Sequence, residues 1–141
     1  MGKVTEKVKL INYGDLWNAK KGLISKEEIR WMEVEAIIDT GAVMASLPKK
    51  IAEQLGLDID EEDKVRLVYA NGDRQFKPKA KVVSVVIQDR NWNGDCICEE
   101  NSDHVIIGQI PLEQMDLVVD CNQQKVYPNP KYPDKTTLLM L

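Results

Sequence analysis

The sequence contains no apolar run long enough to span a membrane. Its N-terminus lacks the apolar core of a signal peptide, and Glu6 stands where a myristoylation signal needs Ser or Thr. Lysine and arginine residues are not clustered densely enough to suggest a nucleic-acid surface, and the formal net charge is −4. We therefore expect a cytoplasmic protein that binds neither membrane nor nucleic acid.

Cysteine and histidine are scarce, with three copies of the first and one of the second. An odd number of cysteines without a secretion signal favours reduced thiols. Cys96 and Cys98 are too close together for the usual zinc-knuckle spacing, and His104 alone does not complete four ligands. The acidic run 58–63 lacks the glycine and the ligand spacing of a calcium loop. We predict structural thiols, a solvated acidic loop at 58–63, and no metal or other cofactor.

A chain of 141 residues is long enough for one domain with its own hydrophobic core. We predict a single domain over residues 1–141, with an N-terminal strand and helical insert in residues 1–30. The core occupies residues 31–128, and an irregular tail, interrupted by prolines, occupies residues 129–141. Alternating side chains from Val4 to Ile11 predict the first strand.

The insert between the first two strands carries helix signals. Asn12-Tyr13-Gly14 is typical of a turn, and Asp15 is a candidate N-cap for a short helix that stops near Gly22. Ser25 and Glu28 have the spacing of a capping box, in which each side chain satisfies a free backbone N–H of the other. The sequence does not indicate the role of this insert, and packing against the outside of the protein is the default expectation.

The most informative stretch covers residues 33–42. Apolar side chains at every second position from 34 to 38 predict a half-buried strand, which ends at Asp39. Desolvating a carboxylate costs several kcal/mol, so a strand-end aspartate needs groups that satisfy it or a reaction that uses it. Thr40 can donate a hydrogen bond, and Gly41 lets the backbone turn tightly and present an amide N–H. A turn-capping aspartate is the alternative.

Residues 36–42, Ala-Ile-Ile-Asp-Thr-Gly-Ala, resemble the catalytic loop of the retropepsin-like aspartic proteases, the single-lobed relatives of pepsin. Val105-Ile106-Ile107-Gly108 is similar to the apolar pair plus glycine that lies beside that loop in the family. It leads into a short helix at 111–115 and a strand at 117–120, so the resemblance covers residues 31–128. It implies a mainly β, closed retropepsin-like barrel with short helices in the N-terminal insert, after the catalytic loop, and near the C-terminus.

A hairpin is predicted between the two signatures. Strands at 65–70 and 75–88 flank Asn71-Gly72-Asp73, and Asn-Gly between alternating apolar runs is the strongest short-range hairpin signal. Pro78 cannot donate to a ladder, so the second strand should be at an edge or interrupted there. The hairpin is either an ordinary surface hairpin or, as its position in the resemblance implies, a flap that closes over substrate.

The remaining elements are read from local patterns. Residues 49–57 have near-helical apolar spacing, and Gly56 supplies a stop signal, which predicts a helix after the Asp-Thr-Gly loop. Residues 91–95, Asn-Trp-Asn-Gly-Asp, are typical of a second turn. Residues 117–120 and 125–127 predict a final pair of short strands.

The resemblance implies a homodimeric aspartic endopeptidase, because the chain has one Asp-Thr-Gly and needs a second carboxylate. Asp39 of each subunit would form the catalytic pair. Thr40 would make a hydrogen bond across the two-fold axis, and the Gly41 amide would face the carboxylate. Ala42 stands where pepsin-like lobes often carry a hydroxyl. Losing that hydrogen bond disfavours the charged carboxylate, so we predict an activity optimum nearer neutral pH than that of pepsin.

The predicted substrate is a peptide or an unfolded protein, bound between the catalytic loop and the flap. Candidate substrate contacts are Asn71, Gly72 and Asp73 in the flap and Ile107 in the pocket wall. A catalytically silent, dimeric peptide-binding module of the same fold is the alternative function. Both functions retain Thr40 and Gly41, so the sequence alone does not separate them.

Overall fold

The computed structural model describes residues 3–141, which form nine strands, three α-helices and one 3₁₀ turn. The strands are β1 Val4–Asn12, β2 Trp31–Ile38, β3 Ser46–Pro48, β4 Asp58–Val68, β5 Arg74–Ile87, β6 Arg90–Glu99, β7 Val105–Ile107, β8 Leu117–Asp120 and β9 Lys125–Pro128. The helices are α1 Tyr13–Lys20, α2 Lys49–Gln54 and α3 Gln109–Gln114, and the 3₁₀ turn is Lys26–Glu28. Within residues 3–141, none of the helices has the length and apolar character needed to cross a bilayer.

Six strands close into a barrel in the order β1-β2-β7-β3-β6-β5, with β5 pairing back onto β1. β4 lies outside this ring, antiparallel to the first half of β5. β5 serves three neighbours because it is long: residues 74–81 pair with β4, residues 83–86 pair with β1, and β6 takes the other edge. This arrangement confirms the predicted mainly β, closed barrel with short helices.

The core lies inside the ring of strands. In β5 the side chains of Val83, Val85 and Ile87 are fully buried, and in β2 those of Ala36 and Ile38 are buried. This is the alternation that a strand with one face toward a core requires, and it confirms the pattern predicted for residues 34–38. The end of β2, which Asp39 follows directly, therefore packs against the close-packed interior of the barrel.

The N-terminal insert packs on one end of α2 and is fastened by polar side chains. Asn12, not Asp15, is the N-cap of α1, because its side-chain oxygen accepts from the Asp15 amide at 3.0 Å. Its amide group also donates to the carbonyl oxygen of Leu55 at 2.8 Å. Asp15 instead accepts from the Arg30 amide and guanidinium at 2.9–3.0 Å. The predicted Ser25 capping box is present in the following turn.

The sequence predicts a loop for the acidic run 58–63. This prediction is wrong, because these residues form the first half of β4. Its charges are matched across the sheet: Lys81 lies 3.1 Å from Asp60 and 2.8 Å from Asp63. Lys79 adds a second contact to Asp63 at 3.3 Å. Hydrogen bonds from Lys81 lower the pKa of both carboxyl groups. Strand partners therefore stabilise a stretch whose composition alone indicates a loop.

The predicted turn at 91–95 is also wrong, because these residues lie inside β6. The chain reverses between β5 and β6, at residues 88–89, where Gln88 adopts a positive φ of 54°. Trp92 is buried and its ring lies over Gly94, so that a Cβ at position 94 would collide with the indole. Gly94, which suggested a turn in the sequence, instead leaves space for the ring of the buried Trp92.

The C-terminal elements form a separate two-stranded sheet, β8-β9, followed by residues 129–141 without helix or strand. The buried side chain of Arg90 holds this tail in place. Its guanidinium donates to the carbonyl oxygen of Met115 at 2.9 Å and to that of Tyr132 at 2.8 Å. Cys96 and Cys98 are buried in β6, and desolvation raises the pKa of both thiols. This burial fits the structural role predicted for these thiols.

Candidate active site

The Asp-Thr-Gly loop follows β2 directly and lies beside β7. β2 and β7 pair in parallel, from Ala36 with Val105 to Ile38 with Ile107. The Asp39 amide extends this pairing by donating to the carbonyl oxygen of Ile107 at 3.0 Å. The two sequence signatures, about seventy positions apart, are therefore adjacent strands, as the resemblance implied.

The loop is also held from behind by the start of α3. The first amide groups of a helix have no partner within the helix. Here the Gln109 amide donates to the Ala42 carbonyl oxygen at 2.7 Å, and the Ile110 amide to the Val43 carbonyl oxygen at 3.0 Å. Gly108 permits this contact, because a Cβ there would collide with the carbonyl oxygens of Ala42 and Met44. Main-chain groups thus fix the path of the loop.

The Asp39 side chain accepts one hydrogen bond among the described residues, from the Gly41 amide to Oδ1 at 2.9 Å. Asp39 and Thr40 are both exposed in the single chain. The burial expected for a strand-end carboxylate is therefore absent in the single chain, and the second oxygen of the carboxylate accepts no hydrogen bond from the described residues. The loop presents a carboxylate that is oriented by its backbone and remains available for another group.

Asp39 lies at the floor of a groove of about 620 Å³. Gly41 and Ile106 also line the floor, residues 65–70 form one wall, and Glu99 of β6 contributes a charge. Most of this lining is apolar. A groove of this size and character can hold several side chains of an extended peptide, with the carboxylate against the main chain.

The structure brings together only part of the predicted site. Asp39, Gly41 and Ala42 line the groove, whereas Ile107 is fully buried in the barrel core and its neighbour Ile106 faces the groove. The prediction chose the wrong residue because every position from 105 to 107 is apolar, so the alternation does not reveal which face is inward. Thr40 is exposed on the loop beside the groove.

The predicted hairpin turn is present at Asn71-Gly72-Asp73. The Asn71 side-chain oxygen accepts from the Asp73 amide at 2.9 Å, and Gly72 has a positive φ of 90°. These three residues are at the exposed tip, and the groove wall consists instead of the preceding residues 65–70. The sequence predicted a strand at 65–70 but did not indicate that these residues line the groove.

Tyr69 and Glu99 were not predicted as site residues. The Tyr69 hydroxyl donates to Glu99 Oε1 at 3.1 Å, and the ammonium group of Lys77 lies 3.5 Å from Glu99 Oε2. Burial, followed by the hydrogen bond to Glu99, raises the pKa of Tyr69, so the phenol stays protonated as a donor. The contacts join residues that are separated by 22 to 30 positions, and no local sequence pattern signals them.

The six strands form a closed barrel, in which Asp-Thr-Gly follows β2 and the apolar pair plus glycine lies beside it. This arrangement is the retropepsin-like fold. A family model described as "gag-polyprotein putative aspartyl protease" matches residues 28–119, and the chain belongs to this family. The crystal structure of the retroviral protease-like domain of Ddi1 from Leishmania major is similar, with a TM-score of 0.55 and 16% sequence identity. That match covers 92% of this chain and 89% of the other, and it shows the fold. No curated protein sequence matches the chain.

Proposed function

We propose that this chain is a homodimeric aspartic endopeptidase whose catalytic pair consists of Asp39 from each subunit. The observation that supports this most is the state of Asp39. Its carboxylate is oriented by the Gly41 amide and open at the floor of a peptide-sized groove. The sequence contains one Asp-Thr-Gly, so a second carboxylate of the same kind has to come from a second copy.

The chemistry needs the two carboxylates close together with one proton between them. Like charges a few ångström apart do not both ionise, so the pair titrates as a unit. The charged member takes a proton from a water, the water attacks the peptide carbonyl carbon, and the protonated member donates to the carbonyl oxygen. General acid–base assistance of this kind contributes about a hundred- to ten-thousandfold in rate.

The neighbouring residues take the roles that the family resemblance implies. Thr40, exposed beside the two-fold axis of the proposed dimer, would bond across that axis, and Gly41 orients the carboxylate. Dimer formation would cover Asp39 and supply the low-dielectric surroundings that the single chain lacks. We propose that the β4–β5 hairpin, with its tip at 71–73, is the flap that covers the bound peptide.

The substrate we propose is an extended segment of a peptide or an unfolded protein. Among the described residues β4 pairs only with β5, so its second edge is open for a peptide strand. The groove lining from Val65, Leu67 and Ile106 favours apolar side chains.

The decisive experiment is Asp39→Asn, assayed on an unfolded protein with products read by mass spectrometry. Cleavage should fall by at least about a thousandfold, because removing one member of a catalytic unit removes most of its contribution. The melting temperature should stay within about 2 °C, since Asp39 is exposed and makes one hydrogen bond. Asp103→Asn, at an exposed loop position, is the matched control and should retain full activity. An Asp39→Asn variant as active as wild type would overturn the proposal.

The dimer has a separate test. Specific activity should fall on dilution once the concentration drops below the dissociation constant, since only the dimer holds the pair. Sedimentation velocity over the same concentration range gives the population of dimers independently. Constant specific activity in a range where sedimentation finds only single chains would exclude a catalytic pair formed between subunits.

The second candidate is the catalytically silent, dimeric peptide-binding module. The open edge of β4 beside the groove favours it, because strand addition needs no chemistry at Asp39. A wild-type dimer that binds peptides by fluorescence anisotropy but produces no fragments would establish this function in place of the protease.

A further inference from the structure

Residues 64–78 form a hairpin arm that extends from the barrel. Its strands pair with each other, from Lys64 with Pro78 to Val68 with Arg74. The pairing between β5 and β6 begins only at Lys79 with Ile97, so Pro78 is at an open edge, as predicted. Among the described residues, the backbone of the arm continues into the barrel only through β4 and β5, whose register shifts between Asp60 and Lys64, and no backbone pairing joins the arm to β6.

Glu99 spans this gap. It is the last residue of β6 and pairs with Pro48 of β3, so its backbone belongs to the barrel. Lys77 would be the next residue opposite Glu99 if the register of Lys79 with Ile97 continued, and the two side chains form an ion pair at 3.5 Å instead. The other Glu99 oxygen accepts from Tyr69 at 3.1 Å. One carboxylate thus contacts both sides of the arm, at the residue after β4 and within β5.

The ion pair is better shielded than the others in residues 3–141. The side chains of Lys77 and Glu99 are 16% and 19% exposed, whereas every other ion pair has at least one partner above 30%. Shielding strengthens the attraction and makes loss of one partner costly. Because residues 65–70 of the arm are a wall of the groove, this contact also sets the width of the groove above Asp39.

We propose that Glu99 is a positioning residue that holds the hairpin arm at its working distance from Asp39, through Tyr69 just after β4 and Lys77 on β5. The role in catalysis rests on the proposed protease function, whereas the anchoring itself does not. Glu99 does not react with substrate. It determines where the wall that contacts the substrate lies.

The test is hydrogen–deuterium exchange of the full chain, followed by mass spectrometry of peptides from the arm and from β5 residues 83–87. Tyr69→Phe removes one hydroxyl and keeps the ring and the ion pair, and Glu99→Gln removes the charge from both contacts. Tyr127→Phe and Glu100→Gln are the matched controls, because Glu100 is the neighbour of Glu99 but lies outside the groove.

In Tyr69→Phe, amide exchange in residues 64–78 should accelerate about fivefold, the factor expected for one net hydrogen bond. Glu99→Gln should accelerate it at least as much. Exchange in 83–87 and in both controls should stay at the wild-type rate. An arm that exchanges within twofold of wild type in both variants would overturn the anchor, and so would equal acceleration in 83–87.

Cleavage assays then separate the anchor from the protease. In an active enzyme, Tyr69→Phe should raise KM severalfold and leave kcat within about twofold, because the arm contacts bound peptide and not the reacting carboxylates. A wild-type protein without activity whose arm loosens in Tyr69→Phe would reject the protease and support the anchor. An active wild type with an unmoved arm would reject the anchor alone.

Discussion

Two aspartates in this chain have opposite surroundings. Asp15, at the start of the helical insert, is buried and accepts three hydrogen bonds from Arg30, which hold its pKa below the usual range. Asp39, at the end of β2, is exposed and accepts one hydrogen bond from the adjacent Gly41 amide. Asp15 is satisfied by its own chain, whereas Asp39 is only oriented by it.

This difference separates a structural carboxylate from one that is available for chemistry. At Asp15, the side chain itself makes the stabilising contacts, which are its three hydrogen bonds from Arg30. At Asp39, the backbone is fixed from three directions, by β2, β7 and the first turn of α3, and the side chain has no further partner among the described residues. A rigid loop under an open carboxylate is the arrangement that a preorganised reaction centre needs. Changes in the two regions should therefore have different consequences.

After Asp39→Asn, the largest effect is expected where the first turn of α3 holds the Asp-Thr-Gly loop. In Gly108→Ala, the new Cβ would push against the carbonyl oxygens of Ala42 and Met44 and displace the loop. We expect a loss of about 1–3 kcal/mol in unfolding free energy from overpacking. We also expect about a hundredfold loss in kcat/KM, since a 1 Å displacement of a catalytic group costs that much. Denaturant unfolding and peptide cleavage measure the two quantities.

Asp15→Asn should lower stability without lowering activity, in contrast to Gly108→Ala. Removing the charge weakens the contact to Arg30 and should cost about 1–3 kcal/mol of stability, toward the lower end because the Arg30 side chain is 53% exposed. Activity per dimer should not change, because the insert does not line the groove. This variant is therefore a control of matched stability for Gly108→Ala. Asp15→Asn that loses as much activity as Gly108→Ala would remove the distinction between the two regions.

Acid titration sharpens the same comparison. The hydrogen bond from Arg30 lowers the pKa of Asp15 in the folded protein. The folded state therefore binds this proton less readily, and the contact contributes its full stability above the unfolded pKa of about 3.9. That contribution is lost as pH falls through the lowered pKa. The stability difference between wild type and Asp15→Asn should be constant from pH 7 to about pH 5 and should shrink below about pH 4.

Urea unfolding across that pH range gives the measurement. The carboxyl groups of Asp60 and Asp63, whose pKa values are also lowered, are common to both proteins, so their contributions cancel in the difference. Glu28 does not cancel in the same way, because the charge of Asp15 acts on its pKa. A difference that grows toward low pH would mean that Asp15 is not stabilised in its charged form.

The features that the sequence predicted correctly have their determinants close together in the chain. The Ser25 capping box and the Asn71-Gly72 turn each involve residues within four positions, and both are present. The Asp-Thr-Gly loop and its β7 neighbour were predicted from the resemblance, because each signature is a short contiguous motif. Local chemistry is sufficient where the partners are local.

Three other features were missed because their determinants are distant in the chain. The start of β4 was predicted as a loop because its partners Lys79 and Lys81 lie 16 to 21 positions away. Asp15 was predicted as an N-cap because its partner Arg30 is recognisable only once the insert has folded back. The contact of Glu99 with Tyr69 has the same character, so the arm anchor was not predictable from any single stretch. Tertiary pairing overrides local composition in each case.

The smallest predicted effect comes from giving Asp39 one more partner and so making it more like Asp15. Ala42 stands where the resemblance to pepsin-like lobes implies a hydroxyl, and Ala42→Ser would supply that donor. A hydrogen bond to the charged form favours it, so the optimum of the pH–rate profile should move toward acid by less than about one pH unit. The wild-type optimum should lie nearer neutral pH than that of pepsin. A wild-type profile that peaks in strong acid would contradict the role assigned to Ala42. Ala19→Ser, at a half-buried residue of α1 that does not line the groove, introduces the same hydroxyl away from Asp39 and serves as the control for the substitution itself.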